Sequence, residues 1–204
     1  MLVLFLILLL AVIAFFKTDV KDKFIKPKYE DVIKSDIDYD SDGIDDYTDI
    51  LNGAKDFISK KPKYKSKYYD GGYPIDEYRV CTDIIWYALK NAGYDFKTLI
   101  DEDIKNNEDE YDEDVGDTNI DFRRVRNIKV YLDRNALKLA NDSDFNPGDI
   151  VVYKKHIAIV SDKVNSKNEN YILHQHMYQA YEYDGLFKNE ILGHYRWRLN
   201  DGKK

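Results

Sequence analysis

Cysteine is nearly missing from the 204 residues: Cys81 stands alone, so no intramolecular disulfide can form and pairing says nothing of the redox compartment. Positive charge is short as well, with 31 Lys and Arg against 38 Asp and Glu, a formal charge of -7. The lysines are interleaved with acids, no basic patch stands ready to neutralise phosphates, and a nucleic-acid partner is argued against. Internal repeats and low-complexity tracts are not evident. Histidine is sparse, and all four examples (His156, His174, His176 and His194) lie in the C-terminal half.

What is present suits one hydrophobic core with an appendage: 44% of residues are hydrophobic, and the length is enough for one domain but short for two. The 18 tyrosines suit a surface that meets polar ligands. Leu2 to Phe16 is an unbroken apolar run of 15 residues, read as an uncleaved anchor over 1–16 because Ala11-Val12-Ile13-Ala14 makes a poor cleavage signal. It is short for a spanning helix of about 20 residues. Lys17, Lys21 and Lys23 follow it and no basic side chain precedes it, which by charge bias alone favours a cytosolic domain. The free amine, or residues upstream, would supply the missing charge, and the chain is read as membrane-anchored or secreted with its domain outside the cytoplasmic membrane. Residues 17–35 form a tether.

Residues 36–49 carry Asp at alternate places. Asp38, Asp40, Asp42, Gly43, Ile44, Asp46 and Asp49 fall at positions one, three, five, six, seven, nine and twelve of an EF-hand-type loop. Alternate carboxylates point inward, Gly permits the sharp turn, Ile44 offers its carbonyl, Asp46 acts through water and Asp49 reaches back from the exiting helix, so a structural calcium ion is expected. The last position is Asp where sensors carry Glu, and a solvated acidic linker is the alternative. The domain proper then runs over 50–200. Ile50, Leu51, Ala54, Phe57 and Ile58 give a helix face that breaks at Pro62.

Tyr64 to Pro74 is a Tyr/Gly-rich loop leading to the cysteine, and Tyr68, Tyr69 and Tyr73 are candidate substrate contacts. Ile84, Ile85, Ala88 and Leu89 form an apolar stripe behind Cys81, Thr82 and Asp83 suit a first turn, and Gly93 supplies a left-handed stop. Cys81 at a helix start is expected to have a lowered pKa, because unpaired N–H groups and the helix dipole favour a thiolate; Asp83 beside it joins the candidate contacts. A lone cysteine can equally be an inert small hydrophobe. Asp101 to Asp117 reads as a solvated acidic loop. Arg123 and Arg124 sit in an arginine-dense segment, where each either pairs with an acid such as Asp121 or meets an acidic substrate.

Pro147-Gly148-Asp149 opens a β pattern that continues through Ile150–Tyr153, His156–Val160, Tyr171–His176 and His194–Trp197. Helices followed by an antiparallel meander make the fold α+β. A hairpin centred on Asn165 sets His156 opposite His174 on one face, giving Cys81 as nucleophile, His156 as base and His174 as its orienter.

The runs Tyr73-Pro74, Val80-Cys81-Thr82-Asp83-Ile84, Asn119-Ile120-Asp121-Phe122-Arg123-Arg124-Val125, Pro147-Gly148-Asp149-Ile150-Val151, His156-Ile157-Ala158-Ile159-Val160-Ser161-Asp162 and Gly193-His194-Tyr195-Arg196 resemble the bacterial family called domain of unknown function 1287, from about Asp42 to Trp197. That family is grouped with NlpC-type papain-like hydrolases, which cut amide bonds in peptidoglycan stems with a helix-borne Cys and two β-strand polar residues. The resemblance implies a papain-like fold, a cysteine peptidase or amidase and a peptidoglycan stem as substrate; the chain is read as a monomer that needs no cofactor for catalysis. It carries Cys81, His156 and His174 to the three roles. Two rivals remain: a zinc hydrolase built on His174-Gln175-His176 with His156, His194 or Cys81, and a non-catalytic, calcium-ordered wall-binding module.

Overall fold

The computed structural model describes residues 32–112, 114–142 and 144–198; the expected anchor and the tether up to residue 31 lie outside the described residues. Helix α1 (Asp46–Ser59) starts where the Asp45 carboxylate accepts the Thr48 N–H, and it buries Ile50, Leu51, Ala54 and Phe57. A short parallel pair, β1 (Lys63–Tyr64) and β2 (Tyr78–Arg79), closes the Tyr/Gly-rich loop. Helix α2 (Asp83–Asn91) begins two residues after Cys81 and buries Ile84, Ile85, Trp86, Ala88 and Leu89. It stops at Gly93, whose φ of +81° and closeness to Asp40 leave no place for a side chain.

The acidic stretch is not all loop. Helix α3 (Phe96–Asn106) takes its first residues, because Phe96, Ile100 and Ile104 repeat every fourth position and bury one face, while Glu102 stays outside and Asp101 and Asp103 are tied down by Lys97 and Arg134. After short 3₁₀ turns comes α4 (Val125–Asn135), then β3 (Leu137–Leu139). Among the described residues no helix is long and apolar enough to cross a membrane.

Strands β4 (Ile150–Tyr153), β5 (His156–Val164), β6 (Asn170–Gln175), β7 (Ala180–Tyr183) and β8 (Gly193–Arg196) join β3 in a six-stranded antiparallel sheet of order β3-β8-β4-β5-β6-β7. The α+β reading holds. Ile150, Val152, Ile157, Ile159 and Leu173 face the helices. Val151, Tyr153, Ala158, Val160 and Ile172 face the other way, beneath Leu186 and Ile191. With both faces covered, β4 is buried at every residue and loses the alternation of a half-exposed strand.

The β5–β6 turn is displaced from its expected centre. Asn165 N–H donates to Glu169 O and Asn168 takes φ +65°, so the turn spans 165–169. A bulge between Val160 and Val164 shifts the register, and Ile159 pairs with Leu173. Extended along the strands, that register sets His174 opposite Ala158 and His156 opposite the position of His176. The two histidines expected to oppose directly are therefore diagonal neighbours on one face, still within side-chain reach.

Candidate active site

Cys81, His156 and His174 line one cleft of about 670 Å³, together with Tyr64, Tyr153, His176, Tyr181, Tyr183 and the β4–β5 turn. Strand parity turns both imidazoles away from the helices. At the end of the sheet the cleft reaches the thiol, on which the Ile157 N–H, next in chain to His156, acts directly. His156 Nε2 lies 2.9 Å from His174 Nδ1. His174 is held in turn by an edge contact with Tyr181 (centroids 4.8 Å apart) and by stacking on Tyr183 (5.5 Å), and its Nε2 is buried without a hydrogen-bond partner among the described residues. The pair leaves His156 Nδ1 as the ring nitrogen able to serve the thiol.

The electrostatics correct one expectation. Burial first, then the Asp83 carboxylate, push the Cys81 thiol up to about 11, against the pull of the N–H groups of Ile157, Thr82 and Cys81 itself. The helix start is present but its field does not prevail. No imidazolium helps it: burial, with His176 second, lowers His156 to about 4, and burial, with His156 and His176, lowers His174 to about 3. Among the described residues no hydrogen bond joins the sulfur to either ring, so the free protein holds a neutral thiol beside neutral imidazoles.

Buried neutral histidines make folding sensitive to acid. Their folded pKa values lie below the unfolded value of about 6.5, so their contribution to stability is complete above that pH and is lost as pH falls through about 4 and then about 3. At pH 4.5 each histidine should cost about 2–3 kcal/mol relative to pH 7. Urea midpoints at the two pH values should differ less in a His156→Gln/His174→Gln variant. An unchanged difference would mean that the pair is not buried neutral.

None of the six side chains expected to grip substrate lines this cleft, although Arg123 borders a smaller pocket that also reaches Cys81, and Tyr68 donates to Asp117. Arg123 forks onto Asp83 through Nε (2.7 Å) and Nη2 (3.0 Å), with side-chain exposures of 1% and 0%. Asp83 also accepts the Val80 N–H and Trp86 Nε1–H, and Arg123 Nη1 donates to Lys67 O. Arg124 pairs with Asp114 and, more loosely, with Asp121. Tyr69 donates to Asp76 and lays its ring on Arg123. Tyr73 donates to Asp95 and meets Trp86 and Phe122 edge-on. These groups brace the segments on either side of Cys81. Tyr64, Tyr153, Tyr181 and Tyr183 take the tyrosine places in the cleft; for the last two the signal was their alternation on β7, opposite the alternation of Ile172 and His174 on β6.

In the acidic loop, carboxylate oxygens of Asp38, Asp40 and Asp42 lie within 4.8 Å of one another. Gly43 has φ +95°, and Asp38 and Asp42 accept N–H groups of the same loop. Asp49 is buried and raised to about 6 by burial and then by Asp42, Asp40, Asp46 and Asp38, while the converging group itself holds only Asp38, Asp40 and Asp42. Asp46 is tied inward, accepting from Tyr39 N–H and the Tyr94 hydroxyl. Ile44 is partly exposed at the loop's edge. His194 belongs to neither site: its ring nitrogens meet Ala140 O and Asp149, to which Arg196 is also joined.

The sequence pattern of the family described as Domain of unknown function (DUF1287) matches residues 51–197. Over 164 residues the chain is 32% identical to a protein of Escherichia coli (strain K12) described as uncharacterized protein YijF, covering 72% of this chain and 80% of that one. No solved structure matches the chain. With the match running from the first helix to the end of the sheet and holding both the thiol and the imidazole pair, this chain belongs to the domain of unknown function 1287 family.

Proposed function

We propose that this protein is a cysteine-dependent hydrolase of amide bonds in the stem peptides of bacterial peptidoglycan, with an NlpC-type papain-like arrangement. The observation that carries the reading is the meeting, in one cleft, of a helix-start thiol with a pair of hydrogen-bonded imidazoles. His156 as the Nε2–H tautomer donates to His174 Nδ1 and keeps Nδ1 as a base. As substrate excludes water, the proton passes from Cys81 to His156 while the sulfur attacks the amide carbon. The imidazolium then protonates the leaving amine, and water releases the acyl group from the thioester. N–H groups at the helix start, those of Cys81 and Thr82, are the nearest donors for the developing oxyanion. The domain would work outside the cytoplasmic membrane, anchored or secreted through residues 1–16.

The zinc reading has less support. His174 Nδ1 is engaged with His156, and among the described residues the one group of three converging metal-ligand side chains is the aspartate trio. Digestion of purified muropeptides, with products identified by mass, tests the reading. Amide cleavage by the parent and none by Cys81→Ala is expected. Cleavage that survives in Cys81→Ala would favour zinc. No cleavage by either would favour the wall-binding module, with which a thiol of raised pKa also agrees.

Calcium belongs to the same proposal, as a structural ion held by Asp38, Asp40, Asp42, Asp49 and the Ile44 carbonyl. The donor set is all oxygen and rich in charge, as a hard cation requires. The loop rests on the end of α2: Tyr39 stacks on Tyr94 at 4.2 Å, and Asn91 donates to the Asp49 carbonyl. Neutralising the loop would therefore steady the helix that follows Cys81. Calorimetry should give a dissociation constant of about 10⁻⁶ to 10⁻³ M and a calcium-dependent rise in melting temperature. Asp42→Ala should remove both, and absence of calcium heat in the parent would refute the site.

A further inference from the structure

The cleft has a charge of its own. Lys154 and Lys155 form the two-residue β4–β5 turn that delivers His156, and both line the cleft and are exposed. Neither makes an ion pair among the described residues. Most cations near the thiol are neutralised: Lys63 by Glu77, Lys67 by Asp76, Arg123 by Asp83 and Arg124 by Asp114. Glu190, the one carboxylate on the cleft wall, is paired with neither lysine. A chain of formal charge -7 repels anions at long range, so two unpaired ammonium groups at one cleft make that cleft the exception.

We propose that Lys154 and Lys155 select substrates with a carboxylate close to the amide that Cys81 attacks, which makes the substrate class an acidic peptide. This rests on the hydrolase reading and adds the feature that picks the substrate. It moves charge recognition from Arg123 and Arg124, whose guanidinium groups are already paired, to the turn before the base. The lysine stems are flexible and the ammonium groups hydrated, which fits attraction of a carboxylate without the fixed fork that arginine imposes.

The test uses the thiol as reporter and needs no known substrate. Iodoacetate and iodoacetamide alkylate a thiolate in the same way, sulfur displacing iodide from carbon, and differ in the negative charge of the first. The ratio of their rates on Cys81, divided by the same ratio for 2-mercaptoethanol, cancels any difference in intrinsic thiol reactivity. At low ionic strength the parent should favour iodoacetate by about five-fold, and the preference should fade in 0.5 M salt. Lys154→Gln/Lys155→Gln should bring the normalised ratio to about one, and Lys154→Arg/Lys155→Arg should keep it. A parent ratio near one, or one that the Gln and Arg variants change alike, overturns the proposal. Failure of the hydrolase reading shows separately, as muropeptide cleavage that is absent from the parent or survives in Cys81→Ala.

Discussion

Alanine at His156 should lower kcat for the muropeptide bond by about 10³-fold, and alanine at His174 by about 10–100-fold, with KM little changed. The difference follows from what each ring touches. His156 must take the thiol proton and return it to the leaving amine, so its loss removes proton transfer from both halves of the reaction. The one side-chain hydrogen bond of His174 among the described residues goes to His156, at 2.9 Å, and it acts by holding the tautomer that leaves His156 Nδ1 unprotonated. His174→Asn keeps an acceptor for the Nε2–H and should recover part of the loss. The effects should not add, because an orienter has nothing to orient once the base is gone. Single-turnover rates for the two single variants and the double variant give the comparison. A double variant slower than His156→Ala by the full His174→Ala factor would mean that His174 acts on substrate directly.

Residue periodicity carried much of the fold into view. Ile50, Ala54 and Phe57, and again Ile84, Ile85, Ala88 and Leu89, each face one core, and a helix with one buried face writes that face into its spacing. Helix α3 was hidden because the acids of a charge run are mixed with its apolar points, Phe96, Leu99, Ile100 and Ile104. Polarity hid a pattern that spacing kept. The hairpin was legible to its parity and not to its register: between Val160 and Val164 strand β5 takes up two more residues than β6, an even shift that leaves each histidine on its expected face. Parity was enough to bring His156 and His174 together.

The properties of the site depended on what no linear pattern contains. A helix start favours a thiolate, but whether that field prevails turns on burial and on whether the nearby rings are charged, and both work against Cys81. Arginine density between Asn119 and Asn127 was visible. Its use was not, because the partner of Arg123 is Asp83, forty residues away. The cleft cations came instead from Lys154 and Lys155, which in sequence look like any polar turn between two strands.

The Arg123–Asp83 pair should prove the costliest polar contact to break. Both side chains are buried, and the carboxylate is satisfied four ways, by two guanidinium donors, the Val80 N–H and the Trp86 indole. Removing one partner leaves the other ion desolvated and unpaired, at about 3–5 kcal/mol, and for a domain of this size that corresponds to a fall of about 10 °C in melting temperature. Arg123→Ala and Asp83→Ala should each show it, whereas Arg124→Ala, whose partner Asp114 is exposed, should cost about 1 kcal/mol or less. Asp83→Asn is more informative, since it keeps the size of the side chain and lowers only the charge. It should also ease deprotonation of Cys81, because the Asp83 carboxylate is the second force holding the thiol up. Alkylation of Asp83→Asn should therefore shift to lower pH even as the protein melts earlier. Scanning calorimetry with a pH series of iodoacetamide rates reads both effects. A variant that melts like the parent would show that the pair contributes no net stability, and one that melts earlier with an unmoved alkylation curve would show that Asp83 does not reach the sulfur.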